Sequence, residues 1–310
     1  MSKIDKIEEL QNLIKKDPQD MHLRRQLAVL LIDCGFNEEA LQHLLYLSKK
    51  YSYDEGIYYN LGIVYEKLKN FPKAKEAYLK ALELEPESSD STYNLGLVYT
   101  ELREFDKAID CFNKILKDDP EDSNTYFNLG IAFFKQKKFI EAIENFQRTI
   151  DINDEDLYAH FYIGNIYNEI GEKELAKEQF EKVLQISPDY SWAYYNLAVI
   201  YNEEGKTQKA IDNLNKTIEM NPHDSEAYKI LTRLYLKEKK YDTAIQTIEN
   251  GLKQCENTGD MYYLASIAYK KSKDNESYIK YLNKTIKNYQ TLSKPLQDIK
   301  NELNNAKDSI

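Results

Sequence analysis

A single pattern recurs every 34 residues between Met21 and Leu292 of this chain, and it is repeated eight times. The clearest copies share an aromatic residue followed by asparagine, leucine and a small residue: Tyr59-Asn60-Leu61-Gly62, Tyr93-Asn94-Leu95-Gly96, Phe127-Asn128-Leu129-Gly130 and Tyr195-Asn196-Leu197-Ala198. A fixed period of this size indicates stacked supersecondary units, none of which buries its apolar face alone. Such a chain presents a long surface rather than enclosing a catalytic pocket.

Each repeat is predicted to contain two antiparallel helices, as residues 55–88 illustrate. Apolar and small residues fall at helical spacing in both halves, with Tyr58, Leu61, Gly62 and Tyr65 in the first and Ala74, Tyr78, Ala81 and Leu82 in the second. Pro72 suits the opening of the second helix, and Pro86 ends it because the residue before a proline avoids helical geometry.

Small residues recur at one position of each half. The slot of Gly62 on the first helix is filled elsewhere by Ala28, Gly96, Gly130, Gly164, Ala198 and Ser266, with Thr232 the largest exception. The slot of Ala74 on the second helix is filled by Ala40, Ala108, Ala142, Ala176, Ala210 and Ala244. Glycine inside a helix costs up to about 1 kcal/mol relative to alanine. Its recurrence therefore needs a packing reason, and we expect a close approach of the two helix backbones.

These residues resemble the tetratricopeptide repeat family, whose repeats carry a small residue at position eight, an aromatic at eleven and alanine at twenty. The resemblance implies an all-α fold, an α-solenoid in which helix-turn-helix repeats form a right-handed superhelix. The predicted repeats are 21–54, 55–88, 89–122, 123–156, 157–190, 191–224, 225–258 and 259–292. Residues 1–20 and 293–310 are predicted to be N-terminal and C-terminal capping helices. Lys300 stands where a further repeat would need a small residue, and Tyr278 replaces alanine in the last repeat.

The same resemblance implies that the first helix of each repeat lines a concave groove. An aromatic residue beside an asparagine combines contact area with a side chain that both donates and accepts hydrogen bonds. The predicted peptide-binding residues, expected to lie off the core packing stripe, are Tyr59, Asn60, Tyr93, Asn94, Phe127, Asn128, Phe161, Tyr162, Trp192, Tyr195, Asn196, Lys229, Arg233 and Lys270. The asparagines resemble the series of inner-wall asparagines, or ladder, in the repeat region of O-linked N-acetylglucosamine transferase. In this chain Tyr162 interrupts the series. Tyr-Asn at these positions is also common in the family, so family consensus is the alternative reading.

Charge is segregated along the chain. Residues 89–224 contain 26 acidic and 14 basic residues, a net charge of −12, whereas residues 225–292 contain 8 and 12, a net charge of +4. A groove that is basic at one end is expected to orient an extended partner, because complementary charge contributes register and association rate more than affinity. The total of −10 argues against non-specific nucleic-acid binding.

No catalytic motif is recognisable, and no His, Cys or carboxylate cluster has metal-ligand spacing, so we expect neither enzyme activity nor a metal or cofactor. Cys34, Cys111 and Cys255 indicate reduced thiols, and no signal or membrane segment is recognised, which together favour a cytoplasmic location. The predicted function is a monomeric, non-catalytic scaffold that binds a peptide or partner protein. Two alternatives stay open: a self-assembling structural protein, and a regulatory subunit that tethers a separate enzyme.

Overall fold

The computed structural model describes residues 2–256 and 258–308. Over these residues the regular structure consists of eighteen α-helices and one short 3₁₀ turn (Tyr289–Thr291), with no β-strand. The helices are α1 (Lys3–Lys16), α2 (Met21–Asp33), α3 (Asn37–Lys50), α4 (Glu55–Lys67), α5 (Phe71–Leu84), α6 (Ser89–Glu101), α7 (Phe105–Asp118), α8 (Ser123–Lys135), α9 (Phe139–Ile152), α10 (Leu157–Glu169), α11 (Lys173–Ile186), α12 (Ser191–Glu203), α13 (Thr207–Met220), α14 (Ser225–Lys237), α15 (Tyr241–Gln254), α16 (Gly259–Ser272), α17 (Asn275–Lys287) and α18 (Leu296–Asp308). The predicted all-α class is confirmed.

Each helix packs mainly on its neighbours in the sequence, from α1 to α9 and again from α11 to α18, which is the order of an α-solenoid. The chain forms two compact units, Met1–Ala159 (unit 1) and His160–Ile310 (unit 2), and the boundary between them falls within α10. We propose that α2 to α17 form the eight sequence repeats, with α1 and α18 as caps. In this division the even-numbered helices α2 to α16 are first helices and the odd-numbered helices α3 to α17 are second helices.

Many first helices begin at a polar residue whose side chain accepts a hydrogen bond from a backbone N–H near the helix start. The residues that cap in this way are Asp20, Ser88, Asp122, Asp224 and Thr258. Such a cap satisfies one of the backbone donors that the first turn of a helix leaves unpaired. The sequence therefore marks the start of these helices locally, before any packing between repeats.

The glycines on the first helices make room for an aromatic ring of the second helix rather than for its backbone. A Cβ atom at Gly96 would lie 2.7 Å from the ring of Phe112, closer than carbon atoms pack. Glycine meets a ring in four repeats, in the pairs Gly62–Tyr78, Gly96–Phe112, Gly130–Phe146 and Gly164–Phe180. Where the first slot holds a larger residue the second helix has an aliphatic one, in the pairs Ala28–Leu44, Ala198–Leu214, Thr232–Ile248 and Ser266–Leu282. The predicted slot is present and is filled by the ring, while the expected close approach of the two backbones stays a prediction.

The turn between the two helices of each repeat contains a residue with a left-handed backbone. It is glycine in three repeats (Gly35, Gly171 and Gly205) and a basic residue in five (Lys69, Arg103, Lys137, Lys239 and Lys273). A left-handed residue just after a helix lets the last carbonyl groups find donors, and glycine adopts this conformation most easily. The turn geometry is thus constant while the residue that makes it varies.

The two terminal helices bury apolar residues against the helices that they cover. Ile7, Leu10 and Ile14 of α1 lie in one cluster with residues of α2 to α4. Ile299 and Leu303 of α18 are buried against α17, in a cluster that includes Tyr278. Lys300 is exposed to solvent. Each terminal helix therefore covers an apolar face that the adjacent helices would otherwise expose.

Candidate functional site

In unit 1, the first helices α4, α6 and α8 carry the predicted aromatic residues on one side, which we call the first-helix face. These residues are half-buried, and their rings contact rings of the second helices: Tyr59–Tyr78 with centroids 6.1 Å apart, Tyr93–Phe112 at 6.0 Å and Phe127–Phe146 at 5.5 Å. The expectation that they lie off the packing stripe is therefore wrong. Each ring has one edge in the repeat core and leaves only part of its surface for a partner.

Two of the predicted asparagines join neighbouring first helices. Asn94 Nδ2 donates to the Tyr59 hydroxyl at 3.4 Å, and Asn128 Nδ2 donates to the Tyr93 hydroxyl at 2.7 Å. We call these four residues the Asn–Tyr ladder. The series cannot continue in the same way beyond α8, because Phe127 has no hydroxyl group to accept the next bond.

The amide groups of the asparagines are also bound within their own helices. Asn128 Nδ2 donates to the Asn124 carbonyl at 2.9 Å, and Asn60 Nδ2 donates to the Gly56 carbonyl at 2.6 Å. Since an asparagine amide has two N–H donors and one carbonyl acceptor, Asn128 retains its carbonyl oxygen for a partner. Asn128 was expected to offer a partner both a hydrogen-bond donor and an acceptor. With both of its N–H groups in use, it offers an acceptor.

The ladder tyrosines keep their protons under ordinary conditions. Burial raises the pKa of Tyr93, with a further contribution from the negative charge of Asp122. Burial and the charge of Asp90 likewise raise the pKa of Tyr59, against the smaller lowering effect of the Asn94 hydrogen bond. A phenol that accepts a hydrogen bond from asparagine can still donate its own O–H. The ladder therefore combines phenol donors with amide acceptors.

In unit 2, the predicted residues Phe161, Trp192 and Tyr195 come together around an open pocket of about 380 Å³, which Asn196 also lines. Two further residues complete its wall: Asn165 of α10, and Tyr190, which precedes α12. We call this the aromatic pocket. Asn196 Nδ2 donates to the Trp192 carbonyl at 2.8 Å. The residue of the preceding repeat that corresponds to Tyr59 and Tyr93 is Phe161, which has no hydroxyl group to accept a further bond. Tyr162 contacts the ring of Phe161, with centroids 6.2 Å apart, and is not among the pocket-lining residues.

The sequence pattern did not point to Asn165 and Tyr190, for two different reasons. Asn165 lies on the first helix of its repeat, and the family resemblance assigns the first helices to the groove, so the pattern could have identified it. Tyr190 is the last residue of its repeat and lies outside both helices. Only the packing of its ring against Phe161, with centroids 5.4 Å apart, brings it to the pocket.

The predicted basic end of the groove is largely neutralised within the chain. Lys229 is only 9% exposed and forms an ion pair with Glu226, one turn earlier in α14. Lys270 pairs with Glu302 at 3.4 Å, and its ammonium group lies 5.0 Å from the centre of the Tyr278 ring. Arg233 is exposed. Two of the three cations expected to guide a partner therefore already have an anion beside them, and the basic guide stays a prediction.

Glu302, on the C-terminal helix α18, gathers the polar groups at this end of unit 2. Its carboxylate accepts hydrogen bonds from the hydroxyl groups of Tyr278 at 2.7 Å and Tyr263 at 3.1 Å, and Lys294 lies 3.5 Å away. Burial alone would raise the pKa of Glu302, but the two phenols and Lys270 together hold it below its ordinary value. We expect the carboxylate to be charged at neutral pH.

Two kinds of site are absent from the part of the chain that the structure describes. No group of three or more His, Cys, Asp or Glu side chains among residues 2–256 and 258–308 is arranged to hold a metal ion. Within the same ranges, every helix is too short or too polar to cross a membrane.

Comparison with protein families identifies repeats over most of the chain. Profiles described as "Tetratricopeptide repeat" match residues 2–56, 57–88, 88–155 and 191–224, and one described as "TPR repeat" matches residues 164–203. No curated protein matches the chain.

Solved structures share the fold at low sequence identity. The C-terminal part of a TPR repeat-containing protein from Cytophaga hutchinsonii is 19% identical with a TM-score of 0.60, over 74% of this chain and 94% of that one. A tetratricopeptide repeat protein from Parabacteroides merdae is 17% identical with a TM-score of 0.55, over 81% and 98%. MamA from Desulfovibrio magneticus, from its residue 41 to the end, is 23% identical with a TM-score of 0.53, over 56% and 97%.

Proposed function

The chain belongs to the tetratricopeptide repeat family, and from this premise we propose that it is a non-catalytic scaffold that binds an extended peptide segment of a partner protein. The family fold is typical of protein–protein interaction. The observation that carries the proposal is the Asn–Tyr ladder on the first-helix face of unit 1, where Asn94 and Asn128 bind the hydroxyls of Tyr59 and Tyr93.

The ladder matches the chemistry of an extended backbone. A peptide presents N–H donors and carbonyl acceptors along its length, and an extended segment has no internal partners for them. The Asn128 carbonyl oxygen suits a peptide N–H, and the Tyr59 and Tyr93 hydroxyls suit peptide carbonyls. The half-buried rings add apolar contact between these polar groups. Recognition of this kind depends on the backbone more than on side-chain sequence, which suits a scaffold.

The test is a calorimetric titration of the purified chain with the protein that co-purifies with it from its native cell. Each hydrogen bond to the partner contributes about 0.5–1.5 kcal/mol, so replacing Asn94 and Asn128 together by Ala is expected to weaken binding roughly 5- to 150-fold if the effects add. The matched control is Asn145→Ala on the second helix α9, because Asn145 Nδ2 makes the same bond to a carbonyl four residues earlier, that of Glu141. Unchanged affinity in the double variant, with a melting transition that shows it to be folded at the temperature of the titration, would place the working surface elsewhere.

We also propose that the chain is a monomer in dilute solution and works in the cytoplasm. The support for the monomer is Lys300, whose exposed charge occupies the slot where a further stacked repeat needs a small residue. Light scattering over a range of protein concentrations distinguishes this proposal from the self-assembling alternative. A stable oligomer that persists on dilution would favour the structural role.

A further inference from the structure

The aromatic pocket of unit 2 is walled by rings set nearly at right angles to each other. The ring planes of Phe161 and Tyr190 meet at 76°, and those of Trp192 and Tyr195 meet at 75° with centroids 6.3 Å apart. The wall therefore gathers four aromatic rings, whose faces carry partial negative charge, around one small volume. The amide groups of Asn165 and Asn196 are the polar groups of this wall.

Trp192 is the most exposed aromatic residue of the pocket wall. It is 54% exposed, and it is the only tryptophan of the chain. Its backbone carbonyl accepts a hydrogen bond from the Asn196 amide. Tyr195, in contrast, is half-buried and belongs to the cluster around Ala198 and Leu231. The wall thus joins a ring that is fixed by the core to a ring that faces solvent. Large exposed aromatic residues that border a preformed pocket are typical anchors for a partner.

The electrostatic surroundings of the pocket are negative. Burial raises the pKa of Tyr195, and the negative charges of Glu226 and Asp224 raise it further. Glu226 forms an ion pair with Lys229, whereas the Asp224 side chain accepts a hydrogen bond from Ala227 N at the start of α14. Asp189 is exposed and precedes Tyr190 in the chain. The residues that line the pocket include no cation.

Contact between a cation and a ring is already a recurrent interaction in this chain. The ammonium of Lys209 lies 5.3 Å from the centre of the Tyr201 ring, and that of Lys107 lies 5.4 Å from the centre of the Tyr99 ring. In both cases a lysine of the second helix covers an aromatic residue of the first. The aromatic pocket offers several rings for the same kind of contact with a cation from outside the chain. A cage of π faces near carboxylates is the arrangement that recognises ammonium groups.

We propose that the aromatic pocket binds a lysine or arginine side chain of the partner, so that the peptide recognised by unit 2 is basic. A volume of about 380 Å³ accommodates one such head group. Within unit 2, residues 160–224 contain 11 acidic and 6 basic residues, a net charge of −5, which favours the approach of a basic segment. This inference rests on the proposed function for the identity of the ligand as a peptide, but the chemistry of the pocket can be tested without one.

The experiment uses choline as the probe and its uncharged isostere 3,3-dimethylbutan-1-ol as the comparison, added to the full chain at matched ionic strength. Because Trp192 is the only tryptophan, its indole N–H gives a single NMR signal from the wall of the pocket. Choline is expected to shift this signal saturably and to bind about 2- to 30-fold more tightly than the alcohol, the range that a cation–π contact supplies.

Three variants locate the effect. Tyr195→Leu is expected to remove the preference for choline, whereas Tyr195→Phe, which keeps the ring, is expected to retain it. Tyr53→Leu, which removes an exposed ring in the connection between α3 and α4, is the control and is expected to leave the preference unchanged. Melting curves establish that each variant is folded. If Tyr195→Leu unfolds, the comparison of the two probes on the parent chain still decides the question.

Every outcome bears on the proposal. Equal or tighter binding of the neutral alcohol would make the pocket an apolar subsite and overturn the assignment of a cation. No saturable shift with either probe would overturn it as well. Since neither probe is a peptide, these failures leave the peptide proposal standing, and unchanged peptide binding in the asparagine variants would leave the pocket result standing.

Discussion

Two regions of the molecule, α4 to α9 in unit 1 and α16 to α18 in unit 2, use the same hydrogen bond with opposite electrostatic results. In the first region the Tyr78 hydroxyl donates to the carboxylate of Glu66, and in the second the Tyr278 hydroxyl donates to that of Glu302. Burial dominates at Glu66 and raises its pKa, against the smaller effects of Tyr78 and Lys67. At Glu302 the pKa is lowered, because a second phenol and Lys270 reinforce the first.

The difference teaches that the surroundings of a carboxylate, and not the single bond that it accepts, decide whether its charge stabilises the fold. The first helices of the two regions also differ in what their polar groups bind. The face of α4, α6 and α8 is linked by neutral amide–phenol bonds, which leave it available to a polar backbone. The polar groups of α16 that were expected to meet a partner are instead engaged by α18, a helix of the same chain.

The largest effect is expected from deleting residues 293–310, which removes α18. Ile299 and Leu303 are buried, and losing a buried aliphatic side chain costs about 2–5 kcal/mol. Tyr278 and Leu282 become exposed. Amide hydrogen exchange is expected to accelerate in residues 259–292 and progressively less towards the N-terminal side of unit 2, because stacked repeats are held by their nearest neighbours. Unchanged protection of α16 and α17 would contradict the role of α18 as a cap.

The next largest effect on stability is expected from substituting the small residue on a first helix of each region. Gly96→Ala places a Cβ atom 2.7 Å from the Phe112 ring and is expected to destabilise the chain by about 1–3 kcal/mol. This is a net cost, since alanine itself favours the helix. Ser266→Ala, at the matching slot of α16, inserts no new atom and is expected to cost less, mainly the hydrogen bond from its hydroxyl to the Tyr263 carbonyl at 2.6 Å.

The double variant Gly96→Ala with Phe112→Leu is the control for this comparison, because it reproduces the Ala198–Leu214 pairing of another repeat. Urea denaturation is expected to give a loss smaller than the sum of the two single losses, as residues in contact couple by about 0.5–3 kcal/mol. Simple additivity would mean that ring and glycine do not share one space.

A smaller effect, with a distinctive dependence on pH, is expected from Glu302→Gln. Its folded-state pKa lies below the ordinary value of about 4.3, so its stabilisation is complete above that pH and is lost as the pH falls through the lowered folded pKa. The variant is expected to be about 1–2 kcal/mol less stable at neutral pH, through loss of charge-assisted bonds. In acid, the urea concentrations at which variant and parent are half unfolded should converge.

Glu66→Gln is expected to behave in the opposite way. A raised folded-state pKa gives a contribution that favours folding below the ordinary value and is lost as the pH rises through the folded pKa. At neutral pH the variant keeps an acceptor for Tyr78 without a buried charge, so it is expected to be at least as stable as the parent. A loss of stability at neutral pH equal to that of Glu302→Gln would refute the contrast between the two regions.

The smallest effects concern the ladder itself. Asn128→Ala removes bonds of 2.7 and 2.9 Å and is expected to cost about 0.5–1.5 kcal/mol of folding stability. Asn94→Ala removes the longer 3.4 Å bond to Tyr59 and is expected to cost less. Thermal denaturation of the two single variants decides the order, and a larger loss for Asn94→Ala would show that bond length does not rank these contacts.

Periodicity was sufficient to predict the helices and much of the core, because apolar residues at i, i+3, i+4 and i+7 must share one side of a helix. It could not reveal interactions outside the period. Glu302 lies beyond the last repeat, and Tyr190 reaches its pocket from a connection between helices. The pairing of Lys229 with Glu226 follows helical spacing, three residues apart, and could have been read from the sequence. The left-handed Lys69 could have been identified as well, since Gly35, Gly171 and Gly205 mark the same position in other repeats.

The internal hydrogen bonds of the Asn–Tyr ladder affect how much side-chain entropy the proposed peptide binding would cost. Its side chains are held by internal hydrogen bonds before any ligand arrives, so association need not freeze freely rotating amides. Immobilising a mobile side chain at an interface costs about 0.5–1.5 kcal/mol, and the ladder has met this cost during folding. A peptide of the proposed kind would therefore meet a rigid template, and the entropy lost on binding would fall mainly on the peptide itself.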